Sequence, residues 1–464
     1  MDCDNFSQEI IDIEKALGPN YLGEFFNEIF ITKEDFEDIK ADIKSKVGGR
    51  FSDEAIDCYI YTRGSLGKLT PFVFSEDLEE IMVVGRNLPV FVYHRDRGMI
   101  KTDVVLAEDE IRDIIEKIAQ YAGRAVGPEN PLLDARLPDG SRVNATLQSV
   151  SPKGSSITIR RFKSTPLNIL DLMKFETIDL GLTAFLWLCV DGLGVKPANI
   201  LIVGGTACGK TTTLNALSGF IPESQRIVSI EDTQELSLEH ENWVPLETKP
   251  PSPGAENEVT MDDLLKNALR MRPDRILVGE VRGKEALTLF SAMNTGHDGC
   301  MATIHANSCR EALTRIQSHP MSVPEMMIPA LDLIIAQKRY TKGQKFFRRI
   351  FEVTEVAGRE GDNILMNTLF SYDIKTDRLN TNIMNGRIIQ ELSTLSGFSV
   401  KELDEEMSRR EVILDTMRNY ELTSAEIATV IKGYYSDADS AIDLLYSLVK
   451  ERPKKIEGTG ILGF

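Results

Sequence analysis

The sequence predicts an α/β chain centred on a parallel sheet that carries a phosphate-binding loop. A mixed α/β domain precedes that core and a helical tail follows it. Three observations carry the expectation. First, the wholly apolar run Ile200-Leu-Ile-Val leads into Gly204-Gly-Thr-Ala-Cys-Gly-Lys-Thr211, and a helix-like run follows. Second, Arg226-Ile-Val-Ser-Ile and Arg275-Ile-Leu-Val-Gly recur as strands between helical stretches. Continuous apolar strands of this kind belong to a parallel sheet covered on both faces. Third, the chain after Ser399 reads as helical, and Ser399-Val-Lys-Glu402 and Thr423-Ser-Ala-Glu426 both fit the capping box. In that motif the hydroxyl and the carboxylate satisfy each other's orphan amides.

A chain of 464 residues is too long for one ordinary core, so more than one domain is expected. Residues 1–50 read as an acidic, helical N-terminal arm. Residues 51–163 read as a mixed α/β domain. Within it, Glu80-Ile-Met-Val-Val and Pro89-Val-Phe-Val-Tyr are strand-like and separated by Gly-Arg-Asn, a turn signal. Ile111, Ile114, Ile115, Ile118 and Ala119 have the spacing of an amphipathic helix. Arg142-Val-Asn-Ala-Thr-Leu and Ser156-Ile-Thr-Ile-Arg-Arg-Phe are two further strands. A linker is placed at 164–168, where the composition turns polar and a proline holds its predecessor extended. Residues 169–395 form the core domain, closing in a small β-meander with a turn at Gly358 to Gly361, and 396–464 form a helical C-terminal extension. The densest apolar run, Leu182 to Val190, reads as the buried face of a helix.

Lysine and arginine number 53 against 71 aspartate and glutamate, a formal charge of −18. Non-specific nucleic-acid binding needs a basic face that displaces counterions, so no nucleic-acid partner is expected. No secretory leader pattern opens the chain, and no apolar run approaches the roughly 18 residues of a membrane span. A cytoplasmic location follows as an expectation, with any membrane contact peripheral or made through a partner. The six cysteines are scattered without a Cys-x-x-Cys pair. That speaks against a zinc ribbon and fits a reducing compartment.

Gly204–Thr211 matches G-x-x-x-x-G-K-[ST] in full. The backbone of Gly204, Gly205, Thr206, Ala207, Cys208 and Gly209 can converge on phosphate oxygens, and Lys210 adds a point charge to the same oxygens. The Thr211 hydroxyl can hold Mg2+, and Thr212 follows it among the candidate nucleotide-binding residues. ATP and Mg2+ are therefore the expected ligands. Such a site also needs an acid at the end of a neighbouring strand. Glu280, after Arg275-Ile-Leu-Val-Gly, is the candidate to orient or deprotonate the attacking water, and Glu231 is the second. His297 and His305 stand in a Gly-rich segment, where two histidines are more often structural than catalytic. Arg136, Arg142, Arg160 and Arg161 lie outside the phosphate-loop unit. They read equally as surface cations or as groups that meet a γ-phosphate across a boundary.

Taken together, these segments resemble the secretion ATPase superfamily that powers type II and type IV secretion, type IV pili and the archaellum. The matching pieces are Gly204–Thr211, Ile230-Glu-Asp-Thr-Gln-Glu-Leu236, Arg270 to Gly283, and Ala292 to Asn307. The last run looks most like archaeal pilus and archaellum motors. The tetracysteine insertion of bacterial type II members is absent.

The resemblance implies a RecA-like core with Glu280 as catalytic acid and Glu231 assisting at Mg2+ or water. It implies that His297 and His305 sense the γ-phosphate, and that Arg136, Arg142, Arg160 and Arg161 reach the nucleotide. It also implies a homohexameric ring acting on a polytopic inner-membrane platform protein. Two alternatives stay open: a DNA-translocating ring, and a nucleotide-gated scaffold with negligible turnover.

Overall fold

The structure, a computed structural model, describes residues 6–18, 21–22, 33–64, 66–95, 97–162, 166–249, 258–342, 345–361, 363–383, 386–450 and 452. These residues form two compact units, one ending at residue 162 and the other beginning at 166. The expected linker at 164–168 therefore lies partly outside the described residues.

The first unit opens with helices α1 (Ser7–Leu17), α2 (Lys33–Val47) and α3 (Asp53–Arg63). They close a small core of their own around Ile13, Ile43, Ile56 and Ile60. The division drawn at residue 50 cuts this cluster. The chain breaks at Gly48 and Gly49, both at positive φ, but helix restarts at once because the Ser52 side chain caps the Ala55 amide at 3.1 Å. Cys58 is buried inside this core.

After the short α4 (Thr70–Val73) comes a six-stranded sheet. Its strands are β1 (Leu78–Val83), β2 (Pro89–His94), β3 (Gly98–Val105), β4 (Leu132–Arg136), β5 (Arg142–Thr146) and β6 (Ser156–Arg160), in the order β3-β2-β1-β6-β5-β4. Helix α5 (Glu108–Tyr121) buries Ile111, Ile114, Ile115, Ile118 and Ala119 in the sheet's core. That is the stripe its sequence period predicts.

The second unit is built on a nine-stranded sheet ordered β15-β14-β13-β12-β7-β11-β10-β8-β9. Strands β7 (Ile200–Gly204), β8 (Ile227–Glu231), β9 (Trp243–Glu247), β10 (Arg275–Val281), β11 (Met301–Ile304) and β12 (Leu333–Lys342) run parallel. Strands β13 (Lys345–Glu360), β14 (Asn363–Asp373) and β15 (Arg378–Thr381) add antiparallel to β12. The expected meander is thus an extension of the main sheet, not a separate patch. Side chains of β7, β8 and β10 are buried along nearly their whole length because helices cover both faces.

One face packs on α6 (Ile169–Lys174), α7 (Leu180–Asp191) and α8 (Lys210–Ser218), together with α12 (Arg387–Ser396), α13 (Val400–Asn419), α14 (Ser424–Ser436) and α15 (Ala438–Val449). The other packs on α9 (Met261–Ala268), α10 (Glu285–Asn294) and α11 (Cys309–Gln317). Every residue of α7 from Leu182 to Asp191 is buried, so the helix is enclosed all round and not only on the one face expected. Tail helices make that enclosure. Leu403, Met407, Ile413 and Leu414 of α13 share one core with Ile200 and Ile202 of β7.

The contact is pinned by Arg410, whose guanidinium lies 2.8 Å from Asp191, 2.9 Å from Glu406 and 5.0 Å from the Trp187 ring centre. Both predicted capping boxes form, at Ser399/Glu402 and Thr423/Glu426. Replacing Ser399 by Ala is expected to cost about 1 kcal/mol. Urea unfolding should report it as a lower midpoint at unchanged slope.

Candidate functional site

In parallel strands the carboxyl ends line one edge of the sheet, and ligands bind in the crevice outside that edge. Here the register sets Ile304 of β11 beside Val203 of β7 and Val281 of β10 beside Ile304. The loop after β7, the end of β10 and the residues after β11 therefore meet at one edge. Gly204, Glu280 and His305 come together for that reason.

The loop itself leaves no room at its first glycine. A Cβ on Gly204 would lie 2.3 Å from the Gln337 carbonyl oxygen and 2.4 Å from the Cys208 sulfur. Ala207 and Gly209 both take positive φ, at 58° and 96°, and α8 opens at Lys210. The Lys210 ammonium donates to the carbonyls of Gly204 and Gly205 at 3.1 and 3.3 Å, which holds it across the loop mouth. Cys208 is buried, and burial pushes its thiol pKa up. Its contribution to a ligand is therefore through its backbone. Thr211 and Thr212 lie in the first turn of α8. The amides at a helix N-terminus favour phosphate.

Glu280 lies within β10, not after it as expected, and its carboxylate meets Arg282 at 2.5 Å. Arg282 also reaches Asp232 at 3.3 Å. Burial raises the Glu280 pKa, but the Arg282 hydrogen bond and charge, with Lys210 and His305 adding to them, outweigh it. The net result is below the usual glutamate range, so Glu280 is a carboxylate at neutral pH. Arg282, two residues along and just past the end of β10, is a site residue that sequence reasoning did not single out.

Glu231 behaves differently. It is buried, and it accepts hydrogen bonds from the amides of Glu235 at 2.9 Å and Leu236 at 3.1 Å. A Cβ on Gly279 would lie 2.8 Å from the Glu231 Cγ, so the glycine admits this carboxylate between β8 and β10. In this geometry Glu231 shapes the loop after β8, and it does not present an open carboxylate to a metal ion as expected.

The two histidines part company. His305 follows β11 and meets the Thr206 hydroxyl at 3.2 Å, while Arg315 donates to its carbonyl at 2.7 Å. His297 precedes β11, at the opposite edge of the sheet, beside the Lys196–Asp298 ion pair. The four-residue strand between them spans about 13 Å at the usual rise. Within this chain only His305 therefore stands at the phosphate-loop edge. Replacing His305 by Ala should lower ATP turnover about tenfold, whereas His297→Ala should stay within about twofold. Parallel steady-state assays of the two variants would check this.

The arginines belong to the first unit. Arg136 pairs across strands with Arg142, and Arg142 with Arg160. Like charges directly opposite on a sheet are destabilising on their own, and Arg136 also lies over the Phe162 ring. Arg161 points to the other face, where it donates to the Ser75 carbonyl. It does not join the row, contrary to expectation, because neighbouring residues in a strand face opposite sides.

Among the described residues no group of three metal-ligating side chains stands together. No helix there is long and apolar enough to cross a membrane.

A sequence model of the family described as "Type II/IV secretion system protein" matches residues 69–380. Two uncharacterized proteins of Methanocaldococcus jannaschii are similar to the chain. One is 54% identical over 241 residues, which is 52% of this chain and 33% of that relative. The other is 35% identical over 408 residues, 86% of this chain and 71% of its own length. The chain thus spans about a third of the first relative. The type IV secretion system protein PtlH of Bordetella pertussis is 33% identical over 320 residues, covering 62% of this chain and 93% of PtlH.

Proposed function

The chain belongs to the type II/IV secretion system protein family, and from that premise we propose that it is a motor ATPase. It would work as a homohexamer at the cytoplasmic face of a membrane. The force would go, through a polytopic platform protein, into assembly or rotation of a pilus-like filament or into secretion. One observation carries the reading: a complete phosphate loop shares a sheet edge with an ionised glutamate and a histidine.

The chemistry follows from that edge. Amides of the loop and the Lys210 ammonium bind the β- and γ-phosphates of ATP. Glu280, once released from Arg282, orients the attacking water and accepts its proton. His305, bonded to Thr206, would register whether the terminal phosphate is present. The oxygen donors Thr211 and Asp232 would suit Mg2+, which keeps several waters and needs few protein ligands. Bound with ATP, Mg2+ would neutralise charge on the β- and γ-oxygens. On this reading Arg136, Arg142 and Arg160 would supply further contacts to phosphate.

Phosphate release from Mg-ATP, measured with and without duplex DNA, tests the proposal. Turnover indifferent to DNA supports a protein motor. Several-fold stimulation by DNA would favour a translocase instead, against the charge of −18. Tight ATP binding without turnover would favour a scaffold.

A further inference from the structure

The β12–β13 hairpin grips the phosphate loop from outside. Gln337 of β12 sits opposite Gly204, the residue where β7 ends and the loop begins. Its side chain is buried and bonded at both ends of the amide. The amide Nε2 donates to the Cys208 carbonyl at 2.7 Å, and the Oε1 accepts from the Thr213 hydroxyl in α8 at 2.7 Å. From β13, the Arg348 Nε donates to the Ala207 carbonyl at 3.2 Å. A Cβ on Gly209 would come within 3.1 Å of the Gln337 Nε2 and 3.6 Å of the Arg348 Cδ, so the loop lies directly against both side chains.

A trans peptide is planar, and its C=O and N–H point in opposite directions. The Ala207–Cys208 and Cys208–Gly209 peptides are not among the cis bonds of the described chain. Fixing the Ala207 carbonyl outward on Arg348 therefore aims the Cys208 N–H inward. Fixing the Cys208 carbonyl outward on Gln337 aims the Gly209 N–H inward in the same way. These two consecutive amides are among those that must converge on phosphate oxygens.

We propose that Gln337 and Arg348 are positioning residues that set nucleotide affinity by aiming the Cys208 and Gly209 amides at the bound phosphates. The inference rests on the nucleotide-binding reading above. It adds that the hairpin, through its own side chains, pre-organises the loop before ligand arrives. Arg348 is opposed across the hairpin by Arg339. Two facing cations repel, and the Ala207 carbonyl offers Arg348 a fixed acceptor.

The test is titration of Mg-ADP into full-length variants by calorimetry, with thermal unfolding of the nucleotide-free proteins alongside. Gln337→Met keeps the length of the side chain and removes the donor, so the Kd for ADP should rise about fivefold, the worth of one neutral hydrogen bond. Gln337→Glu keeps the acceptor for Thr213 but sets a carboxylate against the Cys208 carbonyl, and it should bind more weakly still. Arg348→Ala should weaken binding about tenfold, as a charged donor is lost. Arg348→Lys, which keeps a donor, should recover most of that loss. Because the two residues fix different peptides, their effects should multiply in the Gln337→Met/Arg348→Ala double variant.

Wild-type affinity in all these variants would overturn the inference alone. So would losses that merely track a lowered unfolding temperature, with Gln337→Glu no worse than Gln337→Met and no rescue by Arg348→Lys. Failure of the wild-type protein to bind ADP would overturn the nucleotide-binding reading together with it.

Discussion

Glu280→Gln will lower ATP turnover by about 100-fold or more while leaving ADP bound. The substitution keeps the size of the side chain and removes its charge and its basicity. In the ligand-free protein that charge is held by Arg282 at 2.5 Å, with Lys210 and His305 contributing, so the carboxylate is ionised well into mildly acidic solution. A folded-state pKa below the ordinary value means the charge is lost only as pH falls through that lowered pKa. While Arg282 holds it, Glu280 should therefore stay ionised between neutral pH and the usual glutamate range.

Arg282 has a second acceptor in Asp232 at 3.3 Å. Steady-state phosphate release beside ADP titration separates the chemical step from binding. Equal turnover in the two proteins would remove Glu280 from the mechanism.

Lys210→Ala is expected to weaken ATP binding by about 100-fold, since charge-assisted hydrogen bonds to phosphate are the strong ones in such a site. The ammonium donates to two loop carbonyls, at 3.1 and 3.3 Å, and so also ties the loop across its own mouth. The substitution thus removes both a charge and a tether. Lys210→Arg should not restore binding, because a planar guanidinium does not fit where a compact point charge fills the loop. Equilibrium titration with a non-hydrolysable ATP analogue would read both variants. Wild-type affinity in Lys210→Ala would contradict the loop's assigned role.

Much of this was written in local pattern. The apolar runs at Ile200, Ile227 and Arg275 became parallel strands because only a strand buried on both faces needs no polar side. The loop was legible because its spacing is itself the geometry of the site. What local pattern could not show was which sheet edge a residue joins. His297 and His305 are eight positions apart in sequence, but four of the intervening residues are strand, and they carry the pair to opposite edges. Glu231 read as a free acid because its partners, the amides of Glu235 and Leu236, carry no side-chain signature. Gln337 and Arg348 lie more than a hundred residues from the loop they touch, as their separations of 129 and 141 from Cys208 and Ala207 record. Their role depends on β12 pairing with β7, which neither segment announces alone. The tail read as an extension, yet it completes the core around α7, because an enclosed apolar helix needs a second cover.

Hydrolysis of ATP by a ring of this chain is open to a direct measurement. The most direct test is phosphate release by the purified protein in Mg-ATP, with particle mass followed by light scattering in the presence and absence of nucleotide. Turnover carried by a particle of six chains that nucleotide favours is the expected result. A monomer that binds ATP and releases no phosphate under any of these conditions would contradict it.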